Sequence, residues 1–355
     1  AVARSGVPAD VLDAVVMGCA VQAGLGQNAA RQVAIAAGVP LGVPAETVNM
    51  VCLSGLSAVA HAARLIRLGE ATAVLAGGFE SMSGAPYVLD RARFGQRYGH
   101  GVMTDALMLD GLTCAFDACS MGEATERYQE PYGIDRAEQD RWAERSHALA
   151  AAAAEAGAFA AELVEVPVGR RGDEVLDRDE PVRPGTDVAG LGRLRPAFHP
   201  EGSITAGNAS PLSDGAAAVV VVSDAYAAEH DLEVLGRIRS AATVAGPDPS
   251  LLLQPAAALT RAAGLAGVDV TALDLIEINE AFASVAVASV RDLGVAEDRV
   301  NVHGGAIALG HPLGASGARV LVTLLHALRA RGGGLGGASL CGGGGQGIAA
   351  IVEVP

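Results

Sequence analysis

One block of this chain occurs twice, and that constrains the fold more than any other feature. Gly6-Val7-Pro8-Ala9-Asp10-Val11-Leu12-Asp13-Ala14-Val15 aligns without a gap on Gly267-Val268-Asp269-Val270-Thr271-Ala272-Leu273-Asp274-Leu275-Ile276. In both copies a turn and a short helix lead through Leu-Asp into an apolar strand. Three more matches follow in the same order. Val48-Asn49-Met50-Val51-Cys52 pairs with Val300-Asn301-Val302-His303-Gly304, the helical run from Ser54 to Leu68 with that from Ser316 to Arg331, and the strand at 73–78 with that at 337–342. Chance likeness among Ala/Gly-rich segments does not reproduce one order four times. The chain therefore reads as two copies of one α/β unit, in which helices alternate with buried strands.

Between the copies the character changes. Residues 84–205 hold most of the tyrosines, the single tryptophan Trp142, and a charged Pro/Gly-rich stretch from Arg170 to Pro200. They also hold an Ala-rich helix whose start is marked by Asp135 with Glu138 three residues on, the spacing of a capping box. Three units are expected: a first half at 1–83 plus 206–228, an inserted domain at 84–205, and a second half at 229–355. The segment Ser203–Ser210 together with 216–222 is expected to be the strand that returns to the first sheet.

Bulk properties narrow the function. A length of 355 residues suits two or three domains, and an aromatic content of 3% points to tightly packed small-residue helices. A formal charge of −15 argues against nucleic acid or an anionic membrane surface as partner. There is no lysine, which excludes Schiff-base chemistry and a P-loop lysine. The five cysteines (Cys19, Cys52, Cys114, Cys119, Cys341) include no CxxC pair, so no zinc or dithiol site is expected, and a reducing, cytoplasmic setting is. No apolar run approaches the roughly 18 residues that span a bilayer, and the N-terminus lacks a secretory apolar region.

Candidate chemistry lies at the ends of the repeated elements. Cys52 sits between an extended run and a helix with apolar residues at Leu56, Val59, Ala60, Ala63 and Ile66, where the helix dipole would stabilise a thiolate. A lone cysteine is more often a small buried hydrophobe, at odds of roughly two in three. Asn279-Glu280-Ala281-Phe282 follows a buried strand at the end where α/β proteins place ligands, although Asn279 could equally cap the next helix. Gly310-His311-Pro312-Leu313-Gly314 puts an imidazole in a glycine-bounded loop. Cys341-Gly342-Gly343-Gly344-Gly345 places a second thiol beside bare backbone N–H groups. Two runs, 332–337 and 342–347, fit G-x-G-x-x-G in letters, but each leads into a strand instead of a helix, so a nicotinamide site is not expected.

Taken together, Cys52-x-Ser-Gly, Gly77-Gly78-Phe79-Glu80-Ser81-Met82-Ser83, Asn279-Glu280-Ala281-Phe282, Gly310-His311-Pro312 and Cys341-Gly-Gly-Gly resemble the motif set of the thiolases, end to end and in family order. The resemblance implies a duplicated five-layer αβαβα fold with an inserted loop domain over coenzyme A, and a homodimer or homotetramer. It implies an acyltransferase acting on acetyl-CoA and acyl-CoA, with no cofactor and no metal. Cys52 would be the nucleophile, His311 its base, and Cys341 the acid/base at the substrate α-carbon. Asn279 would hold a water at the thioester oxygen, and the Cys52 and Gly343 N–H groups would bind the acyl oxyanion. Ser210, Arg183, Met121 and Phe282 match residues near the substrate; Ser120 stands where the family usually has histidine. A strand and an Arg-Thr-Pro-like turn that open the family pattern are not in the chain, and their loss is expected to open the centre of the first sheet. Competing readings are a ketoacyl-synthase-like enzyme, disfavoured by the second thiol, and a non-catalytic acyl-CoA-binding protein.

Overall fold

The computed structural model describes residues 1–169 and 172–355; Arg170 and Arg171, at the start of the charged stretch, lie outside the described residues. The repeat is realised as two four-stranded sheets of the same build. In the first half, β1 (Ala14–Gly18) lies parallel to both β2 (Ala45–Val48) and β3 (Ala73–Ser81), and β4 (Asp214–Val222) runs antiparallel to β3, in the order β4-β3-β1-β2. In the second, β5 (Arg237–Ala245), β6 (Leu275–Ile278), β7 (Gly334–Gly342) and β8 (Gln346–Val354) take the order β5-β8-β7-β6. Here β6 and β7 are parallel, and β8 is antiparallel to both β7 and β5. Thus β1 answers to β6, β3 to β7 and β4 to β8, as the repeat requires.

Five layers result. Helix α1 (Ala29–Ala36) covers the outer face of the first sheet, and its apolar residues Ala30 and Ala34 pack with Val15, Met17 and Leu75. Helices α5 (Gln254–Ala266) and α6 (Ala283–Leu293) cover the outer face of the second. Between the sheets lie α2 (Ser54–Arg67) and α8 (Leu313–Ala330), packed with strand residues of both sheets: Val16, Val74, Leu340 and Ile351's neighbours Ala350 and Val352. A helix buried on all sides reads as apolar all round, and α8 does so through Val320, Leu321, Leu324, Leu325 and Leu328. The inserted region contributes α3 (Met121–Gln129) and α4 (Arg136–Glu155); Asp135 caps α4 by accepting from Glu138 N–H, as its sequence signature predicts.

Two expectations are corrected. The stretch 203–210 is not strand. Asn208 accepts from Thr205 N–H and donates to Asp140, folding the segment into a turn, and the returning strand begins only at Asp214. Ala209 and Ser210 instead lie against the second half, where Ser210 N–H donates to Ala281 C=O at 3.1 Å. The position answering to β5 is beside β4, at the edge of the first sheet. That position is at the edge and not in the centre, so β1 and β3 keep their partners on both sides.

Candidate active site

The site forms where the two central helices begin. Glycines let α2 and α8 touch backbone to backbone: a Cβ at Gly317 would lie 2.3 Å from Leu56 N, and one at Gly55 would lie 2.8 Å from Gly314 C=O. Cys52, just ahead of α2, and His311, just ahead of α8, are thereby carried to one cavity. Its wall also includes Gly343, Met121, Ser210 and Phe282, so six of the nine residues singled out from the sequence line it. Asn279 and Cys341, both fully buried, sit behind that wall. Arg183 does not reach the cavity: it occupies an exposed turn, its N–H donating to His147 Nδ1.

The nucleophile turn is strained and well braced. Val51 holds φ +53°, a left-handed conformation rare for a β-branched residue. Asn49 Oδ1 accepts Val51 N–H at 3.0 Å, and Ser54 Oγ accepts Met50 N–H at 2.8 Å while donating to Val51 C=O at 2.7 Å. These bonds aim the Cys52 side chain into the cavity. The expected thiolate is not the resting form. Burial pushes the Cys52 thiol up to about 12, outweighing the Gly343 N–H and its own N–H, which favour the anion; Glu80 adds to the rise. Helix-dipole stabilisation at this position loses to desolvation. Cys341 is likewise pushed up by burial and then by Cys52 beside it.

His311 is the complementary group. Burial, then Arg319, lowers it to about 3, so the ring is neutral at physiological pH. Ser316 Oγ lies 2.6 Å from Nδ1 and donates its only proton to Pro312 C=O at 2.9 Å. Nδ1 must then carry the ring proton and donate to Ser316, which leaves Nε2 able to accept one. Asn279 does not cap α6, whose first turn follows Phe282; its Nδ2 stands 3.5 Å from Nδ1 and 3.4 Å from Nε2 of His311. Among the described residues Asn279 Oδ1 is buried without a protein partner. Phe282 stacks edge-on to Phe198, ring centroids 6.1 Å apart, and the two form the apolar side of the cavity.

Sequence reasoning passed over several supports. Ser316 and Ser213, which accepts His311 N–H at 3.0 Å, orient the imidazole loop. Glu80, quoted only as part of a motif, accepts from Ala20 N–H, Val21 N–H and Gly314 N–H and so ties the loop after β1 to the start of α8. A buried acid at the end of an apolar strand was the available signal.

A neutral imidazole and a protonated thiol at one apolar cavity, with a second thiol buried behind its wall, define on this duplicated α/β frame a thiol-dependent group-transfer centre. The chain belongs to the thiolase family: the model of the thiolase N-terminal domain matches residues 1–225 and that of the C-terminal domain residues 232–354. It is 51% identical over 349 residues to the acetyl-CoA acetyltransferase of Pseudomonas aeruginosa, covering 98% of this chain and 88% of that protein. With the acetyl-CoA acetyltransferase of Escherichia coli it shares 48% identity over 355 residues, 99% of this chain and 90% of the relative. The crystal structure of the Bacillus anthracis acetyl-CoA acetyltransferase superposes with a TM-score of 0.95 at 40% identity, over 100% of this chain and 90% of that one.

Proposed function

We propose that this protein is an acyl-CoA:acetyl-CoA C-acyltransferase that joins two acetyl-CoA into acetoacetyl-CoA plus CoA, or cleaves short 3-ketoacyl-CoA in the reverse direction. The observation that carries this reading is the neutral His311 imidazole facing the same cavity as the Cys52 thiol, with the Gly343 N–H in reach of the sulfur.

The resting protonation states favour a concerted first step. Moving the proton from a thiol near 12 to an imidazole near 3 before attack would be steeply uphill, so the proton passes to Nε2 as the carbon–sulfur bond forms. Cys52 takes the acyl group, His311 keeps that proton, and CoA leaves as a thiol with the proton of Cys341, which becomes a thiolate. The Cys52 and Gly343 N–H groups stabilise the oxyanion in passing. In the second step the Cys341 thiolate accepts the α-proton of acetyl-CoA, the enolate attacks the acyl-Cys52 carbonyl, and Cys52 is released as a thiol with the proton returned by His311. Asn279 and His311 face the enolate oxygen. Ser210, Met121 and Phe282 contact the thioester arm, and Arg183 lies toward the nucleotide end.

The chain works as a homodimer or homotetramer, in a cytoplasmic pathway of fatty acid metabolism. Assembly is supported by the segment around 94–103, where Phe94, Tyr98, Val102 and Met103 are 87%, 101%, 73% and 70% exposed, a run of apolar surface that monomers seldom leave bare. Light scattering coupled to size exclusion reads the state directly. Among the described residues no helix is long and apolar enough to cross a membrane, and no three acidic, Cys or His side chains are grouped to hold a metal.

Thiolysis of acetoacetyl-CoA, followed by loss of its Mg²⁺-enolate absorbance, tests the reading. Turnover that disappears in Cys52→Ala supports it; tight CoA binding without turnover in the unaltered protein overturns it in favour of a binding protein.

A further inference from the structure

Glu280 is fully buried beside Asn279, and the chemistry above gives it no part. Its carboxylate receives four donors from three separate parts of the chain. Oε1 accepts from Trp142 Nε1–H at 2.9 Å and Asn301 Nδ2–H at 2.9 Å; Oε2 accepts from Ser146 Oγ–H at 2.7 Å and Ile307 N–H at 3.1 Å. Trp142 and Ser146 belong to α4 of the inserted region. Asn301 holds the end of β6, its Oδ1 accepting Ile278 N–H and its Nδ2 donating to Ile278 C=O, both at 2.8 Å. Ile307 opens the short helix α7 (Ala306–Leu309), which runs directly into Gly310 and His311. No side chain fits between: a Cβ at Gly305 would lie 2.2 Å from the Glu280 carboxyl carbon.

We infer that Glu280 is a positioning residue that sets Asn279 against His311, by clamping the end of β6 and the start of α7 to α4 through one buried carboxylate. The inference rests on the acyl-transfer reading and divides its two half-reactions. Acylation of Cys52 uses the Gly343 N–H and only the proton-accepting Nε2 of His311, whereas enolate formation needs Asn279 and His311 held together. Loosening the clamp therefore burdens carbon–carbon chemistry more than acyl exchange.

Glu280→Gln isolates this with little change of volume. An amide has one accepting end, and Trp142 and Asn301 can only donate to it, since Asn301 Oδ1 is already committed to Ile278. The carboxamide nitrogen must then face Ser146, whose hydroxyl can turn to accept, and Ile307 N–H, which cannot. The bond to α7 is lost while the bond to the indole stays.

The test compares full-length wild type, Glu280→Gln and Ser146→Ala in two assays: exchange of isotopically labelled CoA into acetyl-CoA, and thiolysis of acetoacetyl-CoA. We expect Glu280→Gln to keep exchange within about threefold, lose roughly thirtyfold or more in kcat for thiolysis, and change KM little. Trp142, the only tryptophan, reports directly on the clamp, and its emission should stay close to that of the wild type. Ser146→Ala, a milder change that also removes the acceptor of Gly305 N–H, should show the same split at smaller size. Equal losses in both assays by a folded variant would overturn the inference, as would unchanged thiolysis in Glu280→Gln. If Glu280→Gln does not fold, the split or its absence in Ser146→Ala decides. Wild type that performs no exchange would overturn the acyl-transfer reading itself, a result separate from these.

Discussion

The loop after β2 and its counterpart in the second half have one backbone design and opposite surroundings. Both close on a parallel bridge between residues two apart, Met50 to Cys52 and Val302 to Gly304. In the first half the last residue carries a thiol into the cavity. In the second, α4 lies on it: a Cβ at Gly304 would come within 2.4 Å of Ser146 C=O, at φ +77°. The duplication supplied two equivalent strand-to-helix turns, and the inserted region covered one of them. Only the uncovered one could hold a nucleophile, while the covered half contributes His311 from the loop ahead of α8 and Cys341 from the end of β7.

The most direct way to break this comparison exchanges the two loop ends. Cys52→Gly should remove thiolysis by more than about a thousandfold, and adding Gly304→Cys should not restore it. Gly304→Cys alone should lower stability by a few kcal/mol, read by urea unfolding, because the side chain meets both α4 and a left-handed backbone. A Gly304→Cys protein as stable as wild type would show that α4 does not seal the second loop.

The next effect concerns the buried acid just ahead of the Asn279 loop. Burial raises Glu277 to about 8, only partly offset by Arg319, so its folded pKa lies above its unfolded value. The stability it permits is full below about pH 4.5 and is lost as the pH rises toward 8. Glu277→Gln should therefore gain on wild type between pH 5 and pH 8.5, by up to a few kcal/mol, in melting temperature measured at both pH values. A gap that narrows with pH would contradict the assignment.

A smaller effect sharpens the division of labour at His311. Ser316→Ala removes the acceptor that fixes the ring proton on Nδ1, and kcat should fall about ten- to a hundredfold with KM nearly unchanged.

Much of this molecule was legible in one dimension. The repeat predicted paired α/β units, and the strands β1, β3, β6 and β7 and the helices α2 and α8 fall within a few residues of where their apolar periods placed them. Asp135 and Glu138 marked the start of α4, because a cap is a contact between residues three apart. Cys52, His311, Asn279, Cys341 and Gly343 were locatable since each sits at the end of a periodic element. Less visible was everything set by distant contact. The 203–210 turn looked like strand until Asp140, from another helix, engaged Asn208. Arg183 carried a positive charge in a plausible place, yet it is exposed and does not line the cavity.

By itself the sequence determined the duplicated frame, the order of its elements and the identity of the reactive groups, since periodicity and motif spacing are local properties of the chain. Tertiary structure alone decided their state and their arrangement. Close glycine contacts between α2 and α8 brought Cys52 and His311 to one cavity. Desolvation overrode the helix dipole and left the thiol protonated and the imidazole neutral. The carboxylates of Glu80 and Glu280 found their donors across gaps of up to 234 and 138 residues. Dielectric surroundings and long-range hydrogen bonds depend on which atoms meet in space, and no spacing along the chain encodes that directly.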